Sequence, residues 1–157
     1  MPTWQKLEDT LLREILDQGY ERKAWHGPNL RQSLRGVSAK MAGWRPAPGR
    51  HNIWEIAVHT AYWKYRVRRR LCGDKPGSFA LKGSNWFKRP VEFSEKAWRA
   101  DLALLETEHR KLRQALVDYL GGQSREVPAR LIFGVAFHDV YHAGQIRLLR
   151  RLQAGKS

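Results

Sequence analysis

Apolar residues return every three or four positions along most of the chain, and the stretches in which they do so predict helices. In "TWQKLEDTLLREILDQG", Trp4, Leu7, Leu11 and Ile15 share a face, with Thr3 placed to cap the start and Gly19 to end the segment. A shorter helix is expected after Pro28, which suits a first helical position, with Leu30, Leu34 and Val37 on one side. "GWRPAPGRHN" then breaks the pattern, and Asn52 with Glu55 predicts a capping box for a helix from about Ile53 to Leu71, ending near Gly73.

The connection from Gly73 to Ser94 has no sustained period, as expected of a functional loop or a crossover spanning a bundle, and its Trp86, Phe87 and Phe93 imply that it packs onto something. Ser94 caps a long predicted helix with a seam of Trp98, Leu102, Leu105, His109, Leu112, Leu116 and Tyr119, stopped at Gly121 and Gly122. Pro128 is expected to open the last helix, whose seam reads Leu131, Val135, His138, His142, Gln145, Leu149 and Leu152. No strand pair or internal repeat interrupts this, so the expected fold is all-α: a four-helix bundle with a long crossover connection plus an additional N-terminal helix. At 157 residues one domain is expected, with residues 1–27 as the extra helix and its loop.

The last seam raises the chemical question. His138 and His142 are four apart, so their imidazoles can be aimed at one point, and burying two polar rings without partners would cost several kcal/mol (roughly 1–3 each). Hydrogen-bonded core histidines would answer this; a transition-metal ion answers it better. A third ligand must come from another helix, and His59, between Ile56 and the aromatic Trp63, is the best candidate. His109 could be a fourth ligand, a donor behind the ligands or a helix-to-helix hydrogen bond, whereas His26 and His51 lie in or beside loops and are expected to be solvated. Three histidines leave a coordination position open, as catalytic sites do, and Zn, Ni or Fe would accept the set. "HDVYH" also invites comparison with the HExxH of zinc peptidases, which would make Asp139 a general base; being shorter than Glu, it is expected instead as a carboxylate behind the ligands or in solvent.

Composition narrows the setting. The single Cys72 excludes an internal disulfide and thiolate clusters, and no stretch approaches the roughly 20 apolar residues of a membrane span or resembles a secretory signal, so a cytoplasmic protein is expected. Lys and Arg outnumber Asp and Glu by 29 to 15, a positive field that attracts nucleic acid or acidic small molecules.

"GWRPAPGRHNIWEIAVHTAYWKYRVRRRLCG" and "GVAFHDVYHAGQIRLLRRL", joined by a helix containing "WRADLALLETEHRKL", resemble the DinB superfamily of metal-binding four-helix proteins, from about "WHGPNL" to the last helix. The resemblance implies a Ni or Zn site made by His59, His138 and His142, with Gln145 of "HAGQI" facing the pocket. It implies for activity, less directly, the thiol transferases of that superfamily, which use a bacterial low-molecular-weight thiol such as bacillithiol or mycothiol. The leading expectation is thus a metal-dependent enzyme acting on a small molecule. The alternatives are a nucleic-acid-binding protein using Arg66, Arg69 and Arg70 or Arg147, Arg150 and Arg151, and a scaffold in which the metal is structural. Pairing through helix faces into a homodimer is expected by analogy alone.

Overall fold

The structure, a computed structural model, describes residues 3–122 and 129–155. Six helices follow one another: α1 (Thr3–Tyr20), α2 (Leu30–Leu34), α3 (Ala39–Gly43), α4 (Ile53–Cys72), α5 (Glu95–Gly121) and α6 (Ala129–Ala154). The fold is an all-helical bundle in which α1, α4, α5 and α6 are the long members. Among the described residues, no helix is long and apolar enough to cross a membrane.

Local chemistry sets the helix ends. Asn29, not Pro28, opens α2: its side chain accepts from the Gln32 amide while the Gln32 side chain accepts from the Asn29 amide. Ser38 caps α3, a helix that periodicity had not separated from α2. Asn52 caps α4 by accepting from the Glu55 amide at 2.8 Å, but the expected return bond from Glu55 does not form, because Arg45 and His51 hold that carboxylate. The chain leaves α4 through Gly73 at φ 72°, a left-handed conformation that a side chain disfavours. Ser94 caps α5 as expected. Pro128 lies outside the described residues.

α1 turns a different face inward from the one expected. Trp4, Leu7 and Leu11 are exposed, and Leu12, Leu16, Asp17 and Tyr20 are buried. Both sets have helical spacing, and the packing against α6 uses the second: a Cβ built on Gly19 would stand 3.0 Å from the Ala136 carbonyl oxygen, so the glycine lets α1 approach α6 closely on this face. Leu152, the last member of the expected α6 seam, is likewise exposed.

The core is divided. One apolar cluster includes Leu34, Trp54, Trp98, Leu105 and Ile146, and the other Leu12, Leu16, Val67, Leu112, Ile132 and Val135. Between them along three helices lie Lys64, His109 and Asp139, all fully buried. Of the crossover's aromatic residues Phe87 is buried, packing with Phe79 and Tyr62 on α4, Trp86 is half-buried, and Phe93 is exposed.

Candidate metal centre

His59 is on α4; His138 and His142 are one turn apart on α6. The His138 Nε2 stands 3.1 Å from the Nε2 of His59 and 3.1 Å from that of His142, and all three donor atoms lie within 4.8 Å of one another. A tetrahedral ion with bonds of about 2.0–2.1 Å spaces its donors about 3.3 Å apart, so the rings are already near ligating separation.

The outer ring nitrogens settle the tautomers. His59 Nδ1 donates to the Asn85 carbonyl oxygen at 2.9 Å, and His142 Nδ1 donates to Gln145 Oε1 at 2.7 Å. Both protons are thereby held on Nδ1, leaving the two Nε2 atoms as inward-facing lone pairs, the arrangement of metal-ligating histidine. A proton on His138 Nε2 could serve only one of these lone pairs, and His138 Nδ1 is buried without a partner. A cation at the centre would serve all three Nε2 atoms, so the donor set fits a metal ion.

Electrostatics agrees, since ligation needs neutral imidazole. Burial lowers the pKa of all three rings below the usual value. His138 falls to about 3, with further lowering from His142, His59 and Lys64, and His142 falls to about 4, with further lowering from His59. Aromatic packing holds the geometry: Trp86 stacks on His59 at 3.8 Å and on His51 at 3.6 Å, so its indole lies between two imidazoles.

Asn85 and Trp86 were invisible as site residues to helical periodicity, because they sit on the crossover. Their signal was the aromatic content of an otherwise aperiodic loop and an Asn, the residue besides glycine that best tolerates its φ of 60°. Trp63 lines the pocket and donates from Nε1 to Asn85 Oδ1 at 3.0 Å. Gln145, expected to face the pocket, is bonded to His142 Nδ1 and does not line the pocket beside the three rings. His51 is exposed, as expected, and in addition bonds to Glu55 and stacks on Trp86.

Two residues depart from expectation. Asp139 neither backs a ligand nor meets solvent: it is fully buried and paired with Lys64, whose ammonium also lies 4.6 Å from the centre of the Tyr20 ring. Burial raises the carboxyl pKa and lowers the ammonium pKa, each opposed by the partner's charge. His109 does not join the other three rings; it stacks on Tyr20 at 3.9 Å, and neither of its ring nitrogens has a hydrogen-bond partner. Its Nε2 lies 3.6 Å from Glu21 Oε1, and with Asp17 the two form a second group of metal-capable atoms. Arg113 binds both Asp17 oxygens, at 2.8 and 3.1 Å. Burial, with the charges of Lys64, Arg113 and Arg31, holds His109 down to about 2, and the same positive field opposes a cation there.

These shifts carry a pH prediction for the metal-free protein. The folded-state pKa values of His59, His109, His138 and His142 lie below the unfolded value near 6.5, so below that pH the unfolded chain takes up protons that these folded rings refuse. Stability therefore falls as pH falls, by up to about 2 kcal/mol for each of His109, His138 and His142 between pH 7 and pH 5. Asp139, raised to about 6, acts in the opposite sense as one group against three. Urea denaturation of chelated protein at the two pH values is expected to show a net loss of several kcal/mol, and equal stabilities would refute it.

The three rings border an open pocket of about 890 Å³ between α4, α6 and the crossover, lined also by Trp63, Trp86, Val67, Leu131, Val135 and Tyr141. No curated protein and no solved structure matches the chain. The DinB superfamily's family model matches residues 23–146, a span that holds His59, His138, His142 and Gln145 and begins just after α1. On that match over most of its length, the chain belongs to the DinB superfamily.

Proposed function

We propose that this protein is a metal-dependent enzyme in which His59, His138 and His142 hold a nickel or zinc ion, and that it joins a small thiol to an electrophile. The observation that carries the reading is the meeting of three neutral Nε2 atoms at the wall of an open pocket, with two of the outer nitrogens fixed by Asn85 and Gln145. A structural zinc site normally takes four protein ligands and is closed; three ligands facing a cavity leave room for a reactant.

When bound, the ion supplies Lewis acidity, which makes a thiol or a water nucleophilic near neutral pH. The rest is done by the chain. Asn85 and Gln145 keep the ligand rings in one tautomer and orientation, and Trp86 pins His59 against rotation. Trp63, Val67, Leu131 and Val135 give the reactants an apolar wall that limits water around them. Asp139 does not line this pocket and faces Lys64, so nothing in the geometry supports hydrolysis with Asp139 as general base.

The direct test follows the alkylation of a small thiol by monobromobimane with zinc- or nickel-loaded protein. Acceleration that disappears on chelation and in the His59→Ala variant is expected. An equal rate before and after chelation would refute the thiol-transfer reading.

A further inference from the structure

The histidines occupy one end of the pocket, and arginines occupy the other. α4 and α6 run antiparallel here: His59 meets His142, while further along α4 Lys64 meets Asp139, and Val67 and Leu71 share a cluster with Val135 and Ile132. Arg66 and Arg70, seven and eleven residues after His59, are thus at the same end as Arg130, eight residues before His138, and all three line the pocket. At the helical rise their backbones lie about 10, 16 and 12 Å along the axis from the nearest ligand on their own helix, and the Arg66 side chain reaches back from there to Tyr62 and Trp63.

Among the described residues their charge is uncompensated. Elsewhere Arg22, Arg31, Arg45, Arg68, Arg89 and Arg113 each face a carboxylate. Among the described residues, Arg66, Arg70 and Arg130 form no ion pair and no Asp or Glu lines the pocket. Arg66 is held in place: Nη1 donates to the Tyr62 hydroxyl at 3.1 Å, its guanidinium carbon lies 5.8 Å from the centre of the Trp63 ring, and its Nε is buried without a partner. Between the two ends the wall is apolar, with Val67, Leu131 and Val135, and a Cβ added at Gly134 would meet open space. A guanidinium fork over an apolar, low-dielectric wall favours a carboxylate.

We propose that Arg66, Arg70 and Arg130 are the specificity-determining end of the pocket, and that its substrate is an elongated organic acid whose carboxylate is held by these arginines while its other end is presented to the metal. This deepens the metal-enzyme reading and rests on it for what happens at the histidine end.

The probes are mercaptohexanoate and mercaptoundecanoate, each against its methyl ester, titrated into zinc-loaded protein by calorimetry and by tryptophan fluorescence, to which the pocket's Trp63 and Trp86 contribute. Mercaptoundecanoate, long enough to span both ends, is expected to bind about tenfold or more tightly than its ester, a charge-assisted preference. The triple variant Arg66→Gln, Arg70→Gln, Arg130→Gln is expected to lose that preference while still taking up one zinc ion. The double variant Arg70→Gln, Arg130→Gln alters only exposed side chains, so it leaves the core intact, and is expected to weaken the preference.

Equal binding of acid and ester by protein that holds zinc normally would overturn the arginine assignment and leave the metal site standing. Failure to take up zinc at all would count instead against the metal reading, while a retained acid preference in zinc-free protein, lost in the triple variant, would still support the arginine end. Loss of salt-sensitive oligonucleotide binding in the triple variant, without any acid preference in the parent, would assign these arginines to a phosphate backbone and overturn the proposal.

Discussion

Alanine in place of His138 is expected to lower the affinity for zinc or nickel by a factor of 100 or more, about 3 kcal/mol, while the helical content is retained. His138 is the ring common to both 3.1 Å approaches, so its loss leaves two imidazoles from different helices, related only through the packing of α4 on α6. His59→Ala and His142→Ala should follow it in direction. Gln145→Ala supplies the graded control. It removes the acceptor for His142 Nδ1–H without touching a ligand atom, and the expected cost is about 10–100-fold, the usual effect of a partner that orients a metal-bound histidine. Competition titration with a chromophoric chelator measures all four variants. Unaltered affinity in His138→Ala would mean that the ion, if bound, sits elsewhere.

The largest effect on stability is expected at Lys64 and Asp139. Both are fully buried, and the ammonium and carboxylate face each other in the layer that separates the two apolar clusters. Lys64→Met leaves a buried carboxylate with no counter-ion, and one of its oxygens, Oδ1, already lacks a hydrogen-bond partner. The expected loss is about 3–5 kcal/mol. Asp139→Leu strands the ammonium, with the Tyr20 ring beside it and only the more distant charges of Glu106 and Glu21 to oppose its burial, and should cost a similar amount. The double variant Lys64→Met, Asp139→Leu is expected to recover most of the loss, because the expense lies in the unpaired charge more than in the absence of the pair. Denaturant unfolding of the two single variants and the double variant completes the cycle. Additive losses would show that the two side chains act independently.

Some of the site was legible before any fold was known. The four-residue spacing of His138 and His142 follows from helix geometry alone, and an alternation of three and four marked α4, α5 and α6 as amphipathic. His59 could be nominated because its neighbours Ile56 and Trp63 placed it on an inner face. The rest depended on partners that are distant along the chain. Asn85 and Trp86 lie on an aperiodic segment, and nothing local says that their carbonyl and indole meet His59, 26 and 27 residues earlier. Asp139 shows the same limit from the other side: it follows His138 directly, yet the helical turn of about 100° per residue sends it away from the metal centre and toward Lys64.

What the amino-acid order by itself determined is the long helices and several of their ends: apolar spacing sets which stretches coil, and Asn52 and Ser94 cap two of them through bonds to amides three residues on, whereas the separate α3 and its Ser38 cap were not legible in the spacing. What only the tertiary structure decided is which face of each helix turns inward and which polar groups then meet. α1 carries two stripes of helical spacing, and the packing against α6, with Gly19 passing close over Ala136, uses the one with Leu12 and Leu16. The same packing places Arg66 and Arg130 at one end of a pocket and three imidazoles at the other. A helix repeats every 3.6 residues whatever surrounds it, so its periodicity carries no information about its neighbours; those are chosen by steric fit and by the need of every buried charge for a partner.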